Sequence, residues 1–247
     1  MVSFTFRATL AAAAIALAAS ATATPRLTKI FYNPPGTDDG TEFIEVTGNP
    51  GEALTGVSIV YLDGDSGAGV IKNAVNLTTQ TCGTNGVLLV RDSAIVLSPA
   101  PAAGTNVFVD NFTPDMENGS NTVLLVSNFS GVVAQDLDTA KDGTLDSTPW
   151  TSVIDAVGFL ENDTGVNISY AAAFGRTVLG PFTASFNPDV VVRTQAGWFG
   201  SDVLGTSPGP FTVDSARNSS ATYGASSPTI LPGTPGSFSA VSDWNLY

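Results

Sequence analysis

From residue 27 onward the chain is cut into short runs rich in Val, Ile, Leu, Phe and Tyr by Gly, Pro, Asn and Asp, and this punctuation constrains the fold more than any other feature. A helix needs apolar residues returning every three to four positions over about ten residues, and that periodicity is scarce here. The clearest runs are Leu27–Tyr32, Glu42–Thr47, Val57–Leu62, Gly86–Val90, Ala94–Leu97, Asn106–Val109, Thr122–Ser127, Val153–Phe159 and Val190–Arg193. Glu42 to Val46 alternates polar and apolar residues, as a strand with one wet face does. Val123 to Val126 is continuously apolar, as a strand inside a sandwich is. Breakers lie between the runs: Asn33 to Gly36, the acidic turn Asp63 to Gly67, the Pro/Ala-rich connection Ser98 to Gly104, and a Pro/Gly/Ser-rich stretch over residues 226–239. Serial short strands with turn signals between them predict an all-β sandwich with Greek-key connections, in one domain over residues 24–247.

Residues 1–23 read as a secretory leader. Arg7 gives a positive start, Leu10 to Ala19 an apolar run, and Ala21-Thr22-Ala23 a small-residue cleavage site. The run is shorter than the roughly 20 apolar residues that span a bilayer, and no later segment is apolar enough to do so. The expected location is therefore secreted, extracellular or periplasmic. The net charge is −13, and loss of Arg7 with the leader takes it to −14. A field of that sign repels phosphate backbones and attracts divalent cations, so nucleic acid is not an expected partner.

Cys82 is the single cysteine, so a secreted chain of this kind has no internal disulfide, and the reading for Cys82 is a small buried side chain, with an intermolecular disulfide as the alternative. There is no histidine. Ser-His-Asp and Cys-His catalysis and His-ligated zinc are excluded, leaving carboxylates, hydroxyls or a hard cation as the chemistry open to the chain.

Three stretches carry a family resemblance. Ile30 to Gly36, then Asp39-Gly40-Thr41-Glu42-Phe43-Ile44-Glu45-Val46, then Leu54-Thr55-Gly56-Val57, resemble the opening of lamin-tail domains. Further on, Asp155-Ala156-Val157-Gly158 looks like that family's Asp-x-Val strand. Arg193, Trp198 and Thr234-Pro235-Gly236 look like its closing signature. The resemblance implies an immunoglobulin-like β-sandwich with long loop insertions. It also implies a non-catalytic binding or scaffolding module that meets an extracellular protein or glycan. Glu42 and Glu45 match the family's acidic pair, but three positions apart on a strand they point to opposite faces, which makes them structural.

The densest local signal is Asp136-Leu137-Asp138-Thr139-Ala140-Lys141-Asp142-Gly143-Thr144-Leu145-Asp146. Calcium takes six to eight oxygens, and an Asp-rich loop around a Gly supplies them. Asp136, Asp138, Asp142 and Asp146 are therefore the candidate calcium ligands, in a loop that departs from EF-hand spacing; a solvated acidic turn, partly neutralised by Lys141, is the plain alternative. Asp38, Asp39, Asp63, Asp65, Glu161 and Asp163 read as ordinary turn acids. A carboxylate-based polysaccharide hydrolase needs two acids across a cleft, which spacing alone does not establish. A structural surface or matrix component is the third class. Asn-x-Ser/Thr sequons occur at Asn76, Asn111, Asn118, Asn128, Asn162, Asn167 and Asn218, and they matter where the source glycosylates.

Overall fold

The computed structural model describes residues 25–37, 40–98, 100–182, 187–194 and 197–213. The leader, Asp38, Asp39, Asn218 and the stretch 226–239 with its Thr-Pro-Gly lie outside the described residues. The strands are, in chain order, β1 Arg26–Phe31, β2 Phe43–Thr47, β3 Val57–Asp63, β4 Ile71–Asn76, β5 Val87–Arg91, β6 Asn106–Val109 and β7 Asn121–Ser127. They continue with β8 Ser152–Phe159, β9 Thr177–Leu179, β10 Val190–Thr194, β11 Gly197–Ser201, β12 Val203–Leu204 and β13 Thr212–Val213. One short 3-10 turn, Ala171–Phe174, precedes β9.

Two mixed sheets form the fold. The six-stranded sheet has the order β11-β10-β1-β2-β5-β6 and the five-stranded sheet β4-β3-β7-β8-β9. Pairing is antiparallel except where β6 runs parallel to β5 and β9 parallel to β8. The chain crosses between sheets after β2, β4, β6 and β9, so strands distant in sequence face one another. The expected all-β sandwich is the observed architecture.

Alternation along the strands sorts side chains into layers. Ile30, Ile44, Leu88 and Val191 of one sheet meet Ile59, Tyr61, Val123, Leu125 and Val157 of the other in the central core. The outer faces are covered too. Phe31, Phe43, Leu89 and Val192 pack under Ile95, Val203 and Phe211. Val60, Leu124, Val126 and Ala156 pack under Leu137, Tyr170 and Ala171. The continuously apolar Val123–Val126 thus feeds two cores, as expected for a strand buried on both faces.

Two expectations need correction, and three strands come without one. Glu42 to Val46 has no wet face: Glu45 is 6% exposed and is held by Lys29, because a second layer covers that side of the sheet. Ala94–Leu97 is not a strand. Ile95 turns onto the Phe31/Phe43 layer, and Val96 donates its N–H to the carbonyl of Pro208 rather than to a ladder. Strands β4, β9 and β11 were not legible as runs, since β4 interleaves Lys72, Asn73 and Asn76, β9 has three residues, and β11 carries two glycines.

Candidate functional site

Segment 110–120 joins β6 of one sheet to β7 of the other, and the sequence anchors it by apolar side chains at fixed spacing. Phe112 and Met116 insert into the central core. Between them the backbone turns, and its N–H groups need acceptors where water is excluded. Buried carboxylates supply these. Asp92 Oδ1 accepts the N–H of Phe112 at 3.0 Å, and Glu42 Oε2 that of Met116 at 2.9 Å. Asp92 Oδ2 in turn accepts the N–H of Glu42 at 2.7 Å. At the other end Asp65 Oδ1 accepts the N–H of Ser120 at 3.0 Å, and the Tyr61 hydroxyl both donates to the carbonyl of Glu117 and accepts its N–H.

The strap consequently carries acids into two existing pairs. Glu42, Asp92 and Asp115 each bring a carboxylate oxygen within 4.8 Å of the others, and so do Asp63, Asp65 and Glu117. The second trio has its own cation: Lys72 Nζ lies 3.2 Å from Asp63 Oδ2 and also bonds Glu117 Oε1. The first trio borders an open cleft of about 420 Å³, lined by Gly40, Asn111 and Thr113 as well as Asp92 and Asp115. Glu42 and Asp92 are fully buried there. Burial raises the Asp92 carboxyl above its ordinary range, opposed by the N–H groups of Glu42 and Phe112, with Asp110 adding a smaller push upward. Asp110 itself is raised by burial. Three like charges this close are costly in low dielectric, and either protons or a hard cation relieve the cost. Such a centre can hold calcium through oxygens and leave coordination positions on the cleft side.

The four acids of the 136–146 loop are used differently. Asp138 is fully buried; its carboxylate accepts the N–H groups of Asp142 at 3.2 Å and Gly143 at 2.9 Å and the hydroxyl of Tyr170 at 2.9 Å. Asp136 caps the N–H of Asp138, Asp142 caps that of Thr144, and Asp146 accepts from both the N–H and the hydroxyl of Thr139. The loop is thereby closed on itself, and Lys141 Nζ donates to the carbonyl of Ser66 instead of facing the acids. Among the described residues, the three-carboxylate convergences lie at the two trios and not within this loop.

Other residues singled out by sequence have clear places. Asp155 accepts both guanidinium nitrogens of Arg193, at 2.6 and 3.1 Å, and the N–H of Leu27 at 3.0 Å, and the guanidinium lies 4.8 Å from the centre of the Trp198 ring. Glu45 pairs with Lys29 at 3.4 Å and accepts the Thr28 hydroxyl at 2.7 Å, on the face opposite Glu42. Cys82 is 1% exposed, and burial, then Glu52, push its thiol up to about 11. Asp163 caps the N–H of Gly165, and Glu161 accepts from Asn187. Sequence reading missed Asp92, Asp115 and Glu117. The signal for the last two was present: acids at 110, 115 and 117 interleaved with the apolar anchors Phe112 and Met116.

Comparisons with family models, curated proteins and solved structures gave no match. Among the described residues no helix is long and apolar enough to cross a membrane.

Proposed function

We propose that this chain is a secreted, non-catalytic binding module that holds a divalent cation, calcium by its oxygen chemistry, at Glu42, Asp92 and Asp115, and meets an extracellular protein or glycan at the cleft in front of them. The observation that carries the reading is the mutual convergence of those three carboxylates, Glu42 and Asp92 fully buried, beside an open cleft that Asp92 and Asp115 line. Lys72 pairs with Asp63 and Glu117 in the second trio, and the first trio is the one that lies beside the cleft, where a cation could reach its oxygens. The buried acids also accept backbone N–H groups, which holds their oxygens in place and supports reading them as ligands and scaffold. A lamin-tail-like, immunoglobulin-type sandwich suits such a module. The meeting of Asp155, Arg193 and Trp198 in one interaction supports that likeness.

Calorimetric titration of calcium into EDTA-treated protein tests the site, alongside thermal melts. We expect a binding heat and, at millimolar calcium and an affinity of 10⁻⁴–10⁻³ M, a gain of about 1 kcal/mol, or a melting shift of about 2–4 °C. Asp92→Asn/Asp115→Asn should abolish both, while Asp136→Asn/Asp142→Asn should retain them. Loss in the second variant alone would move the ion to the 136–146 loop; no heat in the wild type would remove it from the protein. A screen against glycan and phosphoester substrates tests the non-catalytic reading, and turnover abolished by a single Asp→Asn change would overturn it.

A further inference from the structure

The fold sorts the six described Asn-x-Ser/Thr sequons by what their amides are doing. Asn76, Asn111, Asn118, Asn128 and Asn162 are exposed and Asn167 is half-buried. At Asn167 the amide nitrogen donates to Asp163 Oδ1 and to the carbonyl of Gly165, and the oxygen accepts from the Ser120 hydroxyl at 2.7 Å. At Asn128 the amide donates to Thr151 Oγ1, and the backbone sits at a φ of 51°. At Asn111 the amide oxygen holds the N–H of Ser93, and Pro114 follows the sequon through a Thr113-Pro114 bond. Asn76, Asn118 and Asn162 differ: among the described residues their side-chain nitrogens donate no hydrogen bond. Asn76 is exposed and its oxygen accepts the N–H of Thr78, itself exposed, at 2.8 Å.

We propose that Asn76, Asn118 and Asn162 carry N-linked glycans and that Asn167 does not, an inference that rests on the secreted reading above. The linkage replaces one amide N–H with the anomeric carbon of an N-acetylglucosamine, with the lipid-linked oligosaccharide as donor and its polyprenyl pyrophosphate as leaving group. The linkage is made as the chain enters the secretory route, so the folded structure acts as a filter: a glycan stays compatible only where the amide nitrogen and its surroundings are open. At Asn167 the linkage would take a hydrogen from a nitrogen that already donates to Asp163 Oδ1 and to the Gly165 carbonyl, and turning the amide to free that nitrogen would break the bond from Ser120 to its oxygen. Charged residues make up only 13% of the chain, so glycans would add solvation that the side chains supply sparingly. Asn76 ends β4, the edge strand of the five-stranded sheet, where a glycan would also guard an open ladder from pairing with another chain.

The test is intact mass of the full-length chain secreted with its own leader, both from the medium of its native cells and from a eukaryotic host. It is run before and after peptide N-glycosidase F, with deamidation mapping of each Asn. The expected result is a mass above the polypeptide that collapses on enzyme treatment, with conversion to Asp at 76, 118 and 162. Asn76→Gln, Asn118→Gln and Asn162→Gln should each remove one glycan, and Asn167→Gln none. Secreted, leader-cleaved protein from the native cells at bare polypeptide mass would overturn this proposal and leave the secreted reading standing. Protein retained in the cell with its leader intact would overturn both, and conversion at Asn167 would overturn the sorting of sites.

Discussion

Asp155 gathers bonds from two strands of the opposite sheet onto one carboxylate that is 3% exposed: the N–H of Leu27 on β1 and the fork of Arg193 on β10. The bidentate geometry and the stacking of Arg193 on Trp198 make this a charge-assisted tie between the sheets. Removing one partner leaves the other charge stranded. Asp155→Ala should therefore cost about 3–5 kcal/mol in urea unfolding, and Asp155→Leu/Arg193→Met clearly less than that, since replacing both charges removes the stranded one. Equal losses in the two variants would mean that packing, not charge, dominates there. The sequence singled out Asp155, Arg193 and Trp198 one by one. Their mutual contact was not legible, because sequence spacing says nothing about which strand of the other sheet lies opposite.

At the scale of elements, the acidic turn after β3 works as a three-way junction. The N–H of Gly64 donates to the carbonyl of Ser120 at 2.8 Å, and its own carbonyl accepts the N–H of Ile168 at 2.8 Å. A methyl group on Gly64 would stand 2.1 Å from the Ile168 carbonyl oxygen and 2.6 Å from that of Ser120, both backbone atoms. Gly64→Ala should thus open the junction at a cost of about 1–3 kcal/mol, comparable to forcing extra carbon into a packed core. Gly51, with φ at 73° and nothing within 4 Å of the added carbon, is the control: Gly51→Ala should lose only about 1 kcal/mol of backbone strain. Chemical denaturation of the two variants separates close approach from backbone strain; a smaller loss at Gly64 than at Gly51 would refute the junction. The turn itself was readable from Asp-Gly-Asp-Ser-Gly. That it touches the strap from β6 and the segment before the 3-10 turn was not.

The molecule as a whole concentrates acids where water is scarce, and its stability should respond to pH accordingly. Asp65 is raised to about 6, chiefly by burial and against the N–H of Ser120, with Glu161, Asp63 and Glu117 adding smaller pushes. Asp92 and Asp110 are raised as well. A carboxyl raised on folding binds its proton more tightly in the folded chain. Its contribution is fully present below the unfolded value near 4 and is lost as pH rises through the folded value. Asp146 and Asp163, lowered by bonds from Thr139 and from Asn167 with Gly165, act the opposite way but below the usual carboxylate range. Between about pH 7 and 5, stability should therefore rise on acidification, and Asp65→Asn should flatten that slope. Urea midpoints across this range measure it; an unchanged slope in the variant would show that Asp65 titrates normally.

Period-two alternation and turn residues are properties of neighbours along the chain, so the sequence by itself determined that this protein is an all-β sandwich and where most of its strands begin and end. It also placed Cys82 in the interior. Tertiary structure alone decided that Glu42 and Asp92, fifty residues apart, share a carboxylate cluster with Asp115, and that the 136–146 acids satisfy their own loop. Each carboxylate takes whichever donors the packing brings within hydrogen-bond reach once the two sheets close. For Glu42 and Asp92 those donors include Phe112 and Met116 on the segment that crosses from β6 to β7, and no local spacing records where that crossing lands.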